Sequence, residues 1–429
     1  MSSHLTLGAL MGRAGVLMLL ISPASLLSTV TQVVVALAAA FPFLLIYKQR
    51  YLSGVASFGV NQKPMLACML IIFLFGMSTS ILSMTELIST NEAPMMEVFG
   101  RSGGQQLALM LSFLQVVCGY HMAISFSDHA LRRVIILSFV VISLVAAYQV
   151  VAIKLGLPYV GKFVDDKFVG LRPTSLANEP KYLSGYLACM LYYLFFLFFE
   201  ARFTGRLWIL VALVAALSFF IQAASANGFI AVFLLAVLLL LTQRMRWSFL
   251  IYAVLTVAIG MALLSVAAID LDALNLRGTH KDILENISSI DLTLFDDLIA
   301  LPLLAWMENP WKSFVGFGPG LMHFFARRFI DQATWLTDET YIEGNVSFLM
   351  YASNLGVFVY FLLLLFLGRC AIALVRTPPE GTSRSTALFF ASVFTAGAIV
   401  SGNQSIPLFL AIGWILAKRQ QNGFCGKSG

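Results

Sequence analysis

Apolar runs long enough to cross a bilayer, divided by short turns that carry arginine, set the pattern of this chain. A transmembrane helix needs roughly 20 consecutive apolar residues. Runs of that kind occupy residues 29–47, 65–84, 106–127, 134–154, 182–199, 207–224, 228–242, 248–269, 346–368, 386–403 and 405–417. The last is short and holds Pro407, which points to a tilted, broken or partly re-entrant segment. A further run at 7–22 is interrupted by Gly12, Arg13 and Gly15 and ends at Pro23. It lacks the basic start and small-residue cleavage site of a secretory signal, so it reads as a retained helix or signal anchor. The pattern predicts an all-α polytopic membrane protein, a bundle of about 11–12 transmembrane helices with one large, partly helical loop. Three regions follow: an N-terminal transmembrane bundle over 1–269, the large loop over 270–344, and C-terminal transmembrane helices with a tail over 345–429.

The large loop is polar and acidic overall but not featureless. Stretches at about 281–289, 294–308 and 320–331 are amphipathic, and Leu294, Leu298, Leu301 and Leu304 recur at helical spacing. Pro310 and the cluster Gly316-Phe-Gly318-Pro-Gly320 separate them. That cluster looks superficially like a phosphate loop, but no Lys-Ser/Thr follows it and no strand precedes it, so it reads as a turn.

Composition agrees with the pattern: 59% of residues are hydrophobic and 11% charged, outside the range of soluble domains. Charge then orients the bundle. Alternate loops from Lys48 onward collect 15 cations against the three acids Asp128, Glu200 and Glu380, whereas the opposite side holds 11 cations and 18 acids. The first side is cytoplasmic, so the large loop is expected to be periplasmic and the tail after Lys418 cytoplasmic. The net charge of +6 is thus a topology signal and implies no nucleic-acid partner. Cys68, Cys118 and Cys189 lie within runs, Cys370 at the inner end of one and Cys425 in the tail, so the outer loops carry no disulfide framework. The five histidines lack metal-ligand spacing, and no zinc site is expected. No internal repeat is evident, and the spans hold almost no ionisable residue beyond His121; both features argue against an ion-coupled transporter.

Candidate chemistry therefore sits at the outer edge. Gly170-Leu-Arg172-Pro-Thr-Ser-Leu-Ala-Asn178-Glu179-Pro180 leads directly into a membrane helix. Asn178 or Glu179 can cap that helix, and Pro180 suits its first turn because proline has no amide hydrogen to lose there. Arg172 is then held near a helix N-terminus, and a guanidinium fork beside free amides suits phosphate or pyrophosphate. An Arg172–Glu179 ion pair that merely pins the loop is the structural alternative. In the large loop, Arg277, His280, Lys281, Arg327 and Arg328 are cations for a lipid-linked phosphate, or else side chains that snorkel to headgroups. Glu339, Glu343 and Asn345 precede the next span. Asp270-Leu-Asp272 has the spacing of a metal-binding carboxylate pair, a weak signal in an acidic loop.

In the order of these elements the chain resembles the superfamily of O-antigen polymerases and O-antigen ligases, over about residues 60–417. Arg172, Glu179 and Pro180 match an Arg-x6-Glu-Pro motif, followed by the small tip Ser225-Ala226-Asn227-Gly228. Then come one large loop with Asn309-Pro310 and the glycine cluster, and a polar residue entering a span with Asn354-Leu-Gly356. Ligases of this group are similar but carry a histidine where this chain has Asn345, so the resemblance favours a polymerase. It implies a fold like that of the C-type glycosyltransferases, an active site between bundle and loop, and no cofactor or metal. It further implies an undecaprenyl-pyrophosphate-linked glycan as substrate, membrane lipids and a chain-length regulator as partners, and the bacterial inner membrane as location.

By that resemblance Arg172, Arg277, Arg327, Arg328 and Asn345 would bind pyrophosphate and glycan, with Glu179 or Glu343 as the base that takes the acceptor proton. The alternatives are an O-antigen ligase or, outside enzymes, a polysaccharide flippase. A flippase should carry cations within its spans, and this chain keeps its cations at the edges.

Overall fold

The computed structural model describes residues 7–21, 63–90, 93–158, 164–166, 170–177, 180–201, 203–223, 226–242, 297–332, 347–401 and 407–425. Fourteen α-helices lie among them: α1 Leu7–Ile21, α2 Lys63–Ser89, α3 Met95–Ser125, α4 Asp128–Leu155, α5 Pro180–Glu200, α6 Phe203–Ala223, α7 Ala226–Thr242, α8 Asp297–Glu308, α9 Lys312–Val315, α10 Met322–Arg327, α11 Ser347–Leu355, α12 Val357–Arg376, α13 Arg384–Ala396 and α14 Leu408–Cys425. The described strands are β1 Val164–Asp166 and β2 Gly170–Arg172, paired antiparallel. Six helical segments are long and apolar enough to cross a membrane: Met69–Ser89, Met95–Ser125, Asp128–Leu155, Tyr182–Glu200, Gly205–Ala223 and Val357–Arg376. Met11–Ile21, Gly228–Thr242 and Arg384–Val400 are apolar but shorter. The chain is an all-α, multi-pass membrane protein. The expected runs at 29–47 and 248–269 lie outside the described residues.

Backbone contacts divide the chain into two units, Met1–Ala39 with Gln115–Arg277 and Leu367–Gly429, and Ala40–Leu114 with Gly278–Phe366. In the first, α5 is the inner helix. Of its apolar window 67% is buried, against 17% for the neighbouring α6, and it packs on α6, α7 and α13. Glycines set the closest approaches. An added Cβ at Gly119 of α3 would collide with the carbonyl of Leu410, and one at Gly413 of α14 with that of Val116, so the two helices meet backbone to backbone. Gly12 and Gly15, which interrupt the apolar run in the sequence, sit against the backbone of His121 and Cys118 and are packing positions.

A substitution at this contact tests it. Gly413→Leu forces backbone apart rather than a flexible side chain, so destabilisation at or beyond the upper end of the usual overpacking range, about 3 kcal/mol, is expected. Gly368→Leu is the control, because a Cβ there meets nothing within 4 Å. Thermal melts of the two purified proteins check the difference; equal melting temperatures would remove the contact from the account.

At the end of this unit where α4 begins, polar groups join three helices. Arg132 reaches Asp128 at 2.8 Å and Glu200 at 2.6 Å, and donates to Ser383 Oγ at 3.0 Å. Ser385 donates to Glu200 from both its backbone N–H and its hydroxyl. The start of α4, the end of α5 and the start of α13 are thereby tied into one network.

The second unit departs from expectation in two places. Residues 85–105, which fall between the expected runs 65–84 and 106–127, are nearly all helix, since α2 runs to Ser89 and α3 starts at Met95. Pro94 begins the turn, its carbonyl accepting from the N–H groups of Glu97 and Val98, and Glu97 places an acid on the positive end of α3. The single span expected at 346–368 is two helices, α11 and α12, broken at Gly356. Gly356 has φ +81°, and the carbonyl of Phe314 occupies the space where a Cβ would stand. Phe317 N–H donates to the Ser353 carbonyl at 2.7 Å, filling an acceptor that the break sets free. The glycine segment is wedged into the break, and only glycine fits.

Candidate functional site

The second unit builds its polar centre on the glycine segment. Gly316, Gly318 and Gly320 all have positive φ, and a Cβ at Gly318 would stand 2.7 Å from the backbone of Ser80 on α2. The segment is a turn, as its sequence implies. This close approach places the flanking short helices: α9 carries Lys312 and α10 carries His323 and Arg327. Leu301, Ala305, Phe317, Leu321, Phe324 and Phe325 form the apolar core beneath them, with Leu87 and Val98.

Lys312 is fully buried, a place that its position in the sequence does not announce. Its ammonium lies 2.8 Å from the Glu86 carboxylate, donates to Ser83 Oγ at 3.0 Å and sits 3.8 Å over the face of Phe325. Trp311 and Phe317 complete an aromatic cage. A lone cation among Trp311, Phe314 and Phe317 was the available signal, because a lysine in so apolar a segment needs a carboxylate and rings to be buried.

His323 is also buried, and its Nδ1 has no hydrogen-bond partner among the described residues. Burial, reinforced by the guanidinium groups of Arg101 and Arg327, pushes its pKa down to about 4. The imidazole is therefore neutral at physiological pH. Because its pKa falls on folding, the unfolded chain binds the extra proton first. Stability is retained above the usual histidine value, declines as pH falls below about 6.5, and the loss is complete once the folded pKa near 4 is passed. The full effect is about 3 kcal/mol. His323→Gln should flatten the melting-temperature profile between pH 6.5 and pH 4 relative to the parent. Parallel profiles would show that the proton is taken up elsewhere.

Arg328 is held at the end of α10. It donates to Glu308 at 2.9 Å and lies over the Phe325 ring. Arg327, its neighbour, is half-buried one turn beyond His323. Both arginines thus stand where α10 ends, on a segment pinned by Lys312 and the glycines.

Arg172 belongs to the first unit. It ends β2, opposite Val164 of β1. Its side chain is half-buried. The next five residues turn inward: Pro173, Thr174, Ser175 and Ala177 are buried. Ser175 adopts φ +54° and is grasped by Gln149 of α4, whose Oε1 accepts from Ser175 N–H at 2.7 Å and whose Nε2 donates to the Ser175 carbonyl at 2.8 Å. Pro180 then opens α5, as the sequence anticipates. Neither the hairpin nor Gln149 was picked out from sequence; a single glutamine in the apolar run 134–154 was the only mark.

Glu179, Arg277, Glu343 and Asn345 lie outside the described residues, as do Asp270, Asp272, His280, Lys281 and Glu339. No protein-family model matches this sequence, and no curated protein matches it at a significant level.

Proposed function

We propose that this membrane protein is a glycosyltransferase that polymerises undecaprenyl-pyrophosphate-linked oligosaccharide repeat units at the periplasmic face of the bacterial inner membrane, yielding O-antigen or an exopolysaccharide. The reading rests on the resemblance in motif order and is supported by one observation above the others. Arg172, the cation of the Arg-x6-Glu-Pro motif, is fixed between a hairpin and a buried loop that feeds α5. Transfer needs little else from the protein. An acceptor hydroxyl attacks the anomeric carbon, the carbon–oxygen bond to pyrophosphate breaks, and the leaving anion takes the electron pair. Fixed guanidinium charge stabilises that anion as it forms. A carboxylate, Glu179 or Glu343, takes the hydroxyl proton.

Glycan length in a deletion strain tests the class of function. Loss of a polymerase leaves single repeat units on the outer carrier, loss of a ligase leaves none attached, and loss of a flippase strands repeats on the inner face. A deletion strain with chains of normal length ends the proposal. Purified enzyme should also extend lipid-linked repeats in excess EDTA, with Asp270→Ala as active as the parent. Strict dependence on a divalent ion that Asp270→Ala abolishes would replace arginine by metal as the source of charge.

A further inference from the structure

The segment after Arg172 is sunk into the bundle, and this feature is built rather than incidental. Beyond the two bonds to Gln149, the hydroxyl of Ser175 donates to the carbonyl of Ile142 at 2.8 Å. Ile142 lies thirteen residues before Leu155, the last residue of α4, which is about 20 Å along the axis. Gln149 lies about 9 Å from that end. Gln149, Thr174 and Ser175 are all fully buried, and Gln149 lies in a helix whose apolar window is among the most hydrophobic of the described spans. Buried backbone groups must be paired, and here a side-chain amide does the pairing, with one atom for the N–H and the other for the C=O. Ser175 also holds a left-handed conformation that non-glycine residues rarely adopt. It lies three positions after Arg172, a reach of about 10 Å at most. The depth of Ser175 therefore limits the depth of Arg172.

We propose that Gln149 is a positioning residue: its amide clasps Ser175 and so sets the depth and aim of Arg172, at a level where the guanidinium meets the phosphate of a membrane-held lipid. This inference rests on the reading that Arg172 grips pyrophosphate. A soluble phosphate compound would be served equally well by an arginine on an exposed loop. A lipid-borne pyrophosphate lies at the membrane surface, and an arginine held at that level meets it without drawing it out.

The test is a double-mutant cycle on purified full-length protein in detergent, with undecaprenyl pyrophosphate as the probe. Arg172→Ala and Gln149→Met are each expected to weaken binding about 10- to 100-fold, as loss of a hydrogen bond to a charged group does. The double variant is expected to bind no more weakly than Arg172→Ala alone, because Gln149 acts only through Arg172. Gln149→Glu keeps the acceptor oxygen and loses the donor, so it should fall between parent and Gln149→Met, and it serves if the Met variant does not fold. Ser175→Ala keeps both bonds to Gln149 and loses only the one to Ile142, so it should weaken binding less than Gln149→Met does. Additive losses, unweakened binding in the Gln149 variants, or a loss in Ser175→Ala as large as in Gln149→Met would each overturn the positioning role alone. Parent-like binding by Arg172→Ala would overturn both the role of Gln149 and the reading beneath it.

Discussion

If the protein is the polymerase proposed, Arg172→Lys is expected to lower polymerisation by about 100- to 1,000-fold, nearly as far as Arg172→Ala, while the protein reaches the membrane at normal levels. Lysine keeps the charge and about the same length, so a merely electrostatic role would survive the change. What it lacks is the planar fork that donates two parallel bonds to a phosphate. The backbone at position 172 is held by β1 and the buried loop in either variant, so the comparison isolates the shape of the cationic head. A factor of 100 is about 2.7 kcal/mol of transition-state stabilisation, the amount one well-placed donor supplies to a developing anion. Glycan length in cells and transfer rate with purified protein both report it. Full activity in an abundant Arg172→Lys protein would reduce Arg172 to a point charge, and full activity in Arg172→Ala would remove it from the site. Glu179→Gln separates two further roles. If Glu179 is the base, donor binding persists and transfer fails, since an amide keeps the shape but cannot accept the proton.

The broad class was legible because hydrocarbon imposes it: a chain with long apolar runs must satisfy its backbone within helices. The start of α5 was legible as well, because Pro180 suits a first helical turn. What escaped depends on contacts between distant residues. Residues 346–368 read as one span despite Ser353 and Asn354, and Gly356 alone gives no reason to break it. The break comes from the Phe314 carbonyl and the glycine segment, over thirty residues upstream, and no periodicity encodes that. Gly12 and Gly15 looked like flaws in a helix because their partners, His121 and Cys118, lie far along the chain. The ends of α2 and α3 looked like loop because polar and charged residues gather where helices leave the apolar layer, and that masks the helical pattern. Gln149 and Lys312 share one lesson. A lone polar residue in an apolar stretch signals a buried bond whose partner the sequence does not name.

Lys312 and Glu86 allow that lesson to be tested by its asymmetry. Glu86→Leu is expected to destabilise the protein more than Lys312→Met, although both break the same 2.8 Å pair. Lys312 has no solvent exposure, so removing Glu86 takes away its 2.8 Å carboxylate in a place that water does not reach. Breaking a buried ion pair from the carboxylate side costs about 3–5 kcal/mol, and the rings and the Ser83 hydroxyl recover only part of it. Glu86 is 31% exposed, so when Lys312 becomes methionine the carboxylate can turn to water and the thioether fills the cage. About 1–2 kcal/mol is expected there, below the buried-charge range because solvent screens the survivor. The double change, Lys312→Met with Glu86→Leu, should regain most of the loss, since replacing both partners by apolar groups is often close to neutral. Melting temperatures of the four proteins measure the cycle. Equal losses in the two single variants, or a double variant worse than either, would mean that this pair does not fasten the glycine segment to α2. If the asymmetry holds, Lys312 locks α9 onto α2, and the end of α10 that carries Arg327 and Arg328 inherits its rigidity from that lock.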